Sequence, residues 1–510
     1  MNPRDYNQKK GKNGEKLNNM AYTPTIGLEI HVELKTKSKM FCDCPNDPDE
    51  KEPNKNVCPV CMGNPGTLPV INEEAVKKVI RTGLALDCQI PDYSKFDRKN
   101  YFYPDLPKGY QISQYDKPLS LGGFLLISEK KIRITRVHLE EDTGRLLHPT
   151  GADYSLVDFN RAGIPLMELV TEPDIKSAKE ARLFASELQL ILRYLDVSFA
   201  DMEKGQMRVE ANISVSKDGN LGTKVEIKNL NSFKAVERGI DYEINRQQEL
   251  LEEGEKVIQE TRGWDDVKGK TFSQREKEEA HDYRYFPEPD LPPLHHSKEF
   301  IKEIKSKFFE LPAQKRERFK KEYELDEKTV SMFVQNRAMG NYFEKVVSEL
   351  GSWIKSLEGS ESLEKEDFHR LAKTAANYLI TDLQGLLKGE SASFNNILIT
   401  PENFAEFVIL IKKGDISSKI AKIVLVDMLK TGADPHSIIK KKDLNQISDS
   451  SEIEKIVKEV VAKNEKAVED YNKGKENAFQ FLVGQVMSQA KGKANPQTSG
   501  DILKSYLTKK

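Results

Sequence analysis

From Thr25 to Leu34 the chain alternates apolar and polar residues. Ile26, Leu28, Ile30, Val32 and Leu34 fall on one side, and Gly27, Glu29, His31 and Glu33 on the other. A period of two sends successive side chains to opposite faces, so this segment predicts a half-buried β-strand. Met207–Val215 repeats the pattern, with Arg208, Glu210, Asn212 and Ser214 on its polar side. Val225–Lys228 continues it briefly, with Glu226 and Lys228 on the polar side. Near Thr135 the parity changes: Ile132 and Ile134 share one side, Val137 and Leu139 the other. That switch predicts a β-bulge and leaves open which of Glu140 and Glu141 faces inward.

Helical spacing interrupts the strands. Ser177 and Glu180 form a capping box, and Ala181, Phe184, Leu188, Ile191 and Leu195 follow as one stripe. A second helix is predicted from about Phe233 to Leu251, with Val236, Ile240 and Ile244 in its stripe and Gly254 beyond its end. Strands with interspersed helices predict an α+β domain around an antiparallel sheet, spanning residues 21–294. The Pro-rich segment 287–293 reads as a stiff exit. A Lys/Glu-rich helical domain is expected over 295–399. Thr400-Pro-Glu caps the start of a last helical module, 400–510. Residues 1–20, rich in Asn, Lys and Gly, are expected to be a disordered tail.

Composition agrees with this division. The chain has 510 residues, 38% of them hydrophobic, which suits about three domains with real cores. It holds no apolar run of about 18 residues and no apolar stretch at its start, so neither a membrane span nor a secretory signal is expected, and the location is expected to be cytoplasmic. The formal net charge of −2 excludes a wholly basic nucleic-acid coat. Basic charge collects instead from Tyr471 to Lys510, where seven lysines face two acids. Lys491 and Lys493 lie there, in a loop that could rest on an RNA backbone or be a solvated helix end.

The polar strand faces carry the candidate chemistry. Glu29, His31 and Glu33 project from one face, Glu210 from another, and more acids crowd Arg136-Val-His-Leu-Glu-Glu-Asp142 and the segment around Glu168. Converging carboxylates and one histidine would suit a hard cation such as Mg²⁺. Alternation alone would equally put solvated charges on an exposed sheet face. Cys42, Cys44, Cys58 and Cys61 form two close pairs around a polar loop, the pattern of a closed, structural zinc site. Cys88 stands apart and is expected to be a buried small hydrophobe. Aromatics beside Lys and Arg, over 96–115 and 281–287, could stack bases and hold phosphates, or form a self-packed loop. There is no P-loop and no Gly-x-Ser-x-Gly elbow.

Five long strings carry a resemblance. Ile26-Gly-Leu-Glu-Ile-His-Val-Glu-Leu34, Phe96-Asp-Arg-Lys-Asn-Tyr-Phe-Tyr-Pro-Asp105, Asp158-Phe-Asn-Arg-Ala-Gly-Ile-Pro-Leu166, Lys228-Asn-Leu-Asn-Ser-Phe233 and Asp282-Tyr-Arg-Tyr-Phe-Pro-Glu-Pro-Asp290 resemble the GatB family of the tRNA-dependent amidotransferases. The likeness covers nearly the whole chain after Ala21. It implies a cradle-like kinase domain, a helical domain and a helical tail that contacts tRNA through residues such as Lys491 and Lys493. It further implies a carbon–nitrogen ligase of translation. ATP would phosphorylate the side-chain carboxylate of Glu or Asp misacylated on tRNA(Gln) or tRNA(Asn). Ammonia from a partner glutaminase of the amidase family would then displace the phosphate, with a small third protein completing a heterotrimer. Carried over residue by residue, Glu29, His31 and Glu141 fall on the metal-binding and catalytic motif, with Glu168 and Glu210 as further Mg²⁺ ligands. Lys99 and Lys228 are implied to neutralise phosphate, and the four cysteines to hold structural Zn²⁺. The family commonly has Asp where Glu210 stands. A zinc-stapled RNA-binding scaffold and a free-standing metal-dependent hydrolase are the other readings of the same residues.

Overall fold

The computed structural model describes residues 22–217, 219–276, 283–308, 310–356, 361–388, 393–444, 450–490, 493–494 and 496–508. The tail expected at residues 1–20 lies outside them. The chain forms two compact units, one ending at Leu311 and the other beginning at Pro312. The expected breaks were near 294 and 399. Helix Lys298–Ser306 belongs to the first unit, because Ile304 joins its core. Near 399, helix Pro401–Lys413 packs on Arg337–Ser356, and the Tyr342 hydroxyl donates to the Ile399 carbonyl at 3.1 Å.

The first unit is mixed α/β. Among the described residues its main sheet has nine strands, with Thr23–Glu33 near the middle. Met207–Ser216 pairs with one edge of that strand and Pro165–Thr171 with the other, both antiparallel. Lys130–Glu141 lies beyond Pro165–Thr171, and Val225–Leu230 beyond Met207–Ser216. Val225–Leu230 and Glu260–Asp265 pair in parallel. The apolar sides of these strands are fully buried: Ile26, Leu28, Ile30 and Val32 lie in one core with Leu169, Ala211 and Ile213.

Helices Ala178–Tyr194 and Phe233–Glu252 are among those that join that core. Ser177 caps Ala178–Tyr194 by accepting the Glu180 amide, and Ser232 caps Phe233–Glu252 by accepting that of Ala235. Phe184 and Leu188 of the first helix and Val236 and Ile240 of the second are wholly inaccessible. The opposite, polar faces of the central strands are therefore left for the site. The expected bulge is present: Val170 pairs with Arg136 but Thr171 with Ile134, so Thr135 is the extra residue. It lets Ile132 and Ile134 share the core side with Val137 and Leu139, although their parities differ.

The second unit is helical in its described elements. Phe319, Phe333 and Phe343 centre its first part, with the last two rings stacked 4.4 Å apart. Helices Ser450–Lys463, Glu465–Asn472, Glu476–Gln489 and Pro496–Thr508 share a separate core that includes Val457, Leu482, Val486 and Leu503. Among the described residues no helix is long and apolar enough to cross a membrane.

Candidate active site

Antiparallel register assembles the site. Arg208 pairs with His31, His31 with Glu168, and Glu168 with His138, a line of polar residues across four strands. One step along the polar face, Glu210 pairs with Glu29; another step on, Asn212 pairs with Glu226. Directly opposed side chains in such pairs are neighbours, so each row forms a contact surface. The rows floor a cleft of about 530 Å³ whose walls include Lys99, Lys228, Tyr101, Tyr283 and Tyr285.

Two acidic triads sit on this floor. In the first, the His31 imidazole lies 3.3 Å from Glu168 and 3.7 Å from Glu140. His138 approaches the same two carboxylates at 3.3 and 3.7 Å. In the second, Glu29, Glu210 and Glu226 converge, and each triad brings its ligand atoms within 4.8 Å of one another. Asn212 donates to Glu29 at 2.8 Å, and Lys228 donates to Glu210 at 2.7 Å and lies 3.5 Å from Glu226. Carboxylates with one imidazole form a hard donor set that fits Mg²⁺. The buried Nδ1 of His138 has no hydrogen-bond partner among the described residues, so that ring spends its polar contacts on the acids alone.

The charges respond to one another. Burial pulls His138 down, but Glu168 and Glu140 outweigh it and hold the ring at about 9. Burial pushes Glu168 up, yet His138 and His31 hold it well below the carboxylate range. Glu29 has no such cation beside it: burial, then Glu168 and Glu210, raise it. The Lys99 side chain makes no hydrogen bond or ion pair with a described residue. Its ammonium sits over the rings of Tyr283, at 5.0 Å, and Tyr101, at 5.8 Å. Burial opposes its charge and the field of Glu140 and Glu168 restores it.

Glu141 is placed elsewhere. Val137 and Leu139 face the core, and Glu141 shares their side of the strand. There it takes the Lys108 ammonium at 2.5 and 2.6 Å and accepts the Ile112 amide at 2.9 Å. Glu140, with the parity of His138, faces the cleft instead and accepts the Ser113 hydroxyl at 3.0 Å. The four cysteines also gather, each offering its sulfur within 4.8 Å of the rest. The Cys61 thiol falls to about 5, chiefly because Cys42 donates to it, helped by the Cys58 amide and the Lys39 ammonium. Such a closed four-sulfur set suits a structural metal.

Residues 24–302 match the model of the GatB/GatE catalytic domain, and residues 361–507 that of the GatB domain. The B subunit of the aspartyl/glutamyl-tRNA(Asn/Gln) amidotransferase of Caldicellulosiruptor bescii is 49% identical over 499 residues, covering 96% of this chain and 100% of that protein. The protein of the same name from Thermotoga maritima is 47% identical, with 96% and 99% covered. The chain belongs to the GatB family. Members of that family are parts of a multi-subunit, glutamine-dependent carbon–nitrogen ligase.

In this GatB chain the cleft brings together Glu29, His31, Glu168, Glu210, Lys99 and Lys228, all expected in the site. Glu141, also expected there, lies on the other side of the sheet, and Glu140, His138 and Glu226 join the cleft instead. The signal for Glu140 is present in the sequence: it shares parity with His138, and Glu141 shares parity with Val137 and Leu139. Lys493 ion-pairs with Asp443 at 2.9 Å, and Lys491 lies outside the described residues.

A pH dependence follows for the metal-free protein. His138 sits higher folded than unfolded, so its contribution to stability is complete below about 6.5 and is lost as pH rises through about 9. Glu168 sits lower folded, so its contribution holds above about 4.5 and fades as pH falls. The melting temperature should fall from roughly pH 7 to 10, and His138→Gln should flatten that limb. An equal alkaline slope in the variant would remove His138 as its source.

Proposed function

We propose that this cleft phosphorylates the side-chain carboxylate of Glu on tRNA(Gln), or of Asp on tRNA(Asn), and then exchanges the phosphate for ammonia. One observation carries the reading: two acidic triads on one sheet face share a cleft with Lys99 and Lys228. Five glutamates around a cleft would repel a carboxylate and a triphosphate. A hard cation held by His31, Glu140 and Glu168, or by Glu29, Glu210 and Glu226, would reverse that sign. Mg²⁺ held by either set would supply positive charge against that of the phosphates.

In the first step a carboxylate oxygen attacks the terminal phosphorus of ATP. The bond to the diphosphate breaks and its electron pair leaves with ADP, giving an acyl phosphate. Ammonia then adds to the acyl carbon, the bond to phosphate breaks, and phosphate departs with the surplus proton. Lys99 is the ammonium free to neutralise the transferring group. Lys228 donates to Glu210 and lies against Glu226. Tyr101, Tyr283 and Tyr285 shield the reacting groups from water. In this scheme the sheet unit is the kinase cradle, ammonia comes from a partner glutaminase of the amidase family, and a small third protein completes the heterotrimer. The cysteine cluster holds Zn²⁺ as a staple, and the C-terminal helices hold tRNA.

Three measurements test this. In the reconstituted complex, Glu140→Gln should lower phosphorylated aminoacyl-tRNA formation at least about 100-fold with glutaminase activity intact. Glu141→Gln should stay within about tenfold of wild type while melting earlier, because Lys108 is left buried and unpaired. The reverse ranking would refute the assignment of the cleft. Purified protein should carry one zinc per chain, and Cys61→Ser should lose it with several degrees of melting temperature. A metal-free, equally stable wild type would sink the staple. Removing residues 450–510, which form their own core, should weaken tRNA binding about tenfold or more. Unchanged tRNA affinity would exclude the tail as a contact.

A further inference from the structure

Asp142 lies one step beyond Glu140 on the cleft side and is almost wholly buried. Two guanidinium groups hold it, one on each oxygen: Arg161 at 2.7 Å on Oδ2 and Arg208 at 3.0 Å on Oδ1. The two arginines are not equivalent. Arg161 is also claimed by Glu33 at 2.5 Å and does not line the cleft. Arg208 lines the cleft, and 38% of its side chain is exposed. It spends one terminal nitrogen on Asp142, and its remaining N–H groups make no hydrogen bond with a described residue. A guanidinium is a planar fork with two usable edges, and here one edge is fixed and the other faces open space.

Position identifies the ligand chemistry. Arg208 is paired in register with His31, and its side chain lines the same cleft as the His31–Glu140–Glu168 triad. Asp142 takes one terminal nitrogen of Arg208, and no other described anion lies within ion-pair distance of its head. What such a donor would serve is an oxyanion entering the triad.

We infer that Arg208, aimed by Asp142, grips the terminal phosphoryl group of the nucleotide while it is transferred. The inference rests on the phosphoryl-transfer reading above and adds a residue that neither the strand pattern nor the family resemblance singles out. Arg208 spreads the charge that develops on the phosphoryl oxygens, and Asp142 fixes its plane so that no rotamer search is needed at the moment of transfer.

The test uses the assembled complex with Arg208→Ala, Arg208→Lys and Arg161→Lys. Three quantities are read: affinity for β,γ-imido-ATP with Mg²⁺, formation of phosphorylated aminoacyl-tRNA from γ-labelled ATP, and melting temperature. Arg208→Ala should lose about 100-fold to 1,000-fold in phosphorylation and about tenfold in imido-ATP affinity. Added guanidinium ion should restore part of the rate. Arg208→Lys keeps the charge beside Asp142 but lacks the second edge, so it should fold and still lose about tenfold; it carries the test if the alanine variant does not fold. Arg161→Lys should lower melting temperature without a selective loss of nucleotide affinity. Equal losses at Arg161 and Arg208 would make Arg208 a structural partner of Asp142 and overturn the inference. Wild-type nucleotide affinity with a raised KM for aminoacyl-tRNA would overturn it too, in favour of a carboxylate ligand. A wild-type complex that forms no phosphorylated intermediate would sink the underlying reading instead, and the inference with it.

Discussion

The pairing of Thr23–Glu33 with a neighbour on each side puts Arg208, His31, Glu168 and His138 in one line. No loop holds any of these four. Their mutual distances are set by backbone hydrogen bonds, which are rigid, and by a side-chain period of two, which admits no partial slip. A shift of one residue would send Glu29 and His31 into the core and Leu28 and Ile30 into the cleft. The register is fixed from the opposite face: Ile26, Leu28, Ile30 and Val32 are wholly buried under helices. At about 25 cal/mol per Å² of buried apolar surface, such a core opposes slip far more strongly than any single polar contact in the cleft. The apolar side of the sheet thus supplies the precision, and the polar side uses it.

That precision allows charges to sit where isolated ones would not survive. Two histidines alternate with two glutamates around the first triad, and each imidazole reaches both acids. The desolvation of each group is offset by the partners opposite, so Glu168 stays ionised despite burial. The second triad lacks histidines, and Lys228 donates to its Glu210. Glu29, outside that ammonium's direct contacts, is accordingly the acid driven upward.

The strands and both amphipathic helices are legible because periodicity is a local signal. The bulge at Thr135 is legible too, since Ile134 and Val137 change parity across it. At Glu141 motif likeness and parity point opposite ways, and the structure follows parity: the Val137–Leu139 pair carries that side chain to its own side of the strand. What no local pattern carries is the pairing between distant strands. Glu226 and His138 are visible as polar positions, but the residues they meet lie on strands far away in sequence, and register decides whether they converge. The unit boundary at Leu311 is hidden for the same reason. Ile304 is one of three apolar residues in a Lys-rich helix until the core it enters is known.

Two lysines of the cleft, Lys99 and Lys228, show how one charge type serves two ends. Lys228 is spent: it donates to Glu210 and lies against Glu226, so it is part of the floor. Lys99 is unspent, held over Tyr283 and Tyr101 by ring faces instead of by anions. Cation–π contact stabilises an ammonium by about 1–2 kcal/mol, less than an ion pair in a dry cleft would, and leaves its N–H groups directed at whatever enters. Aromatic walls therefore do more than exclude water. They keep one positive charge in place without neutralising it, which five nearby glutamates would otherwise do. A floor whose lysine is spent and a wall whose lysine is not leave the cleft an uncommitted ammonium for an entering anion.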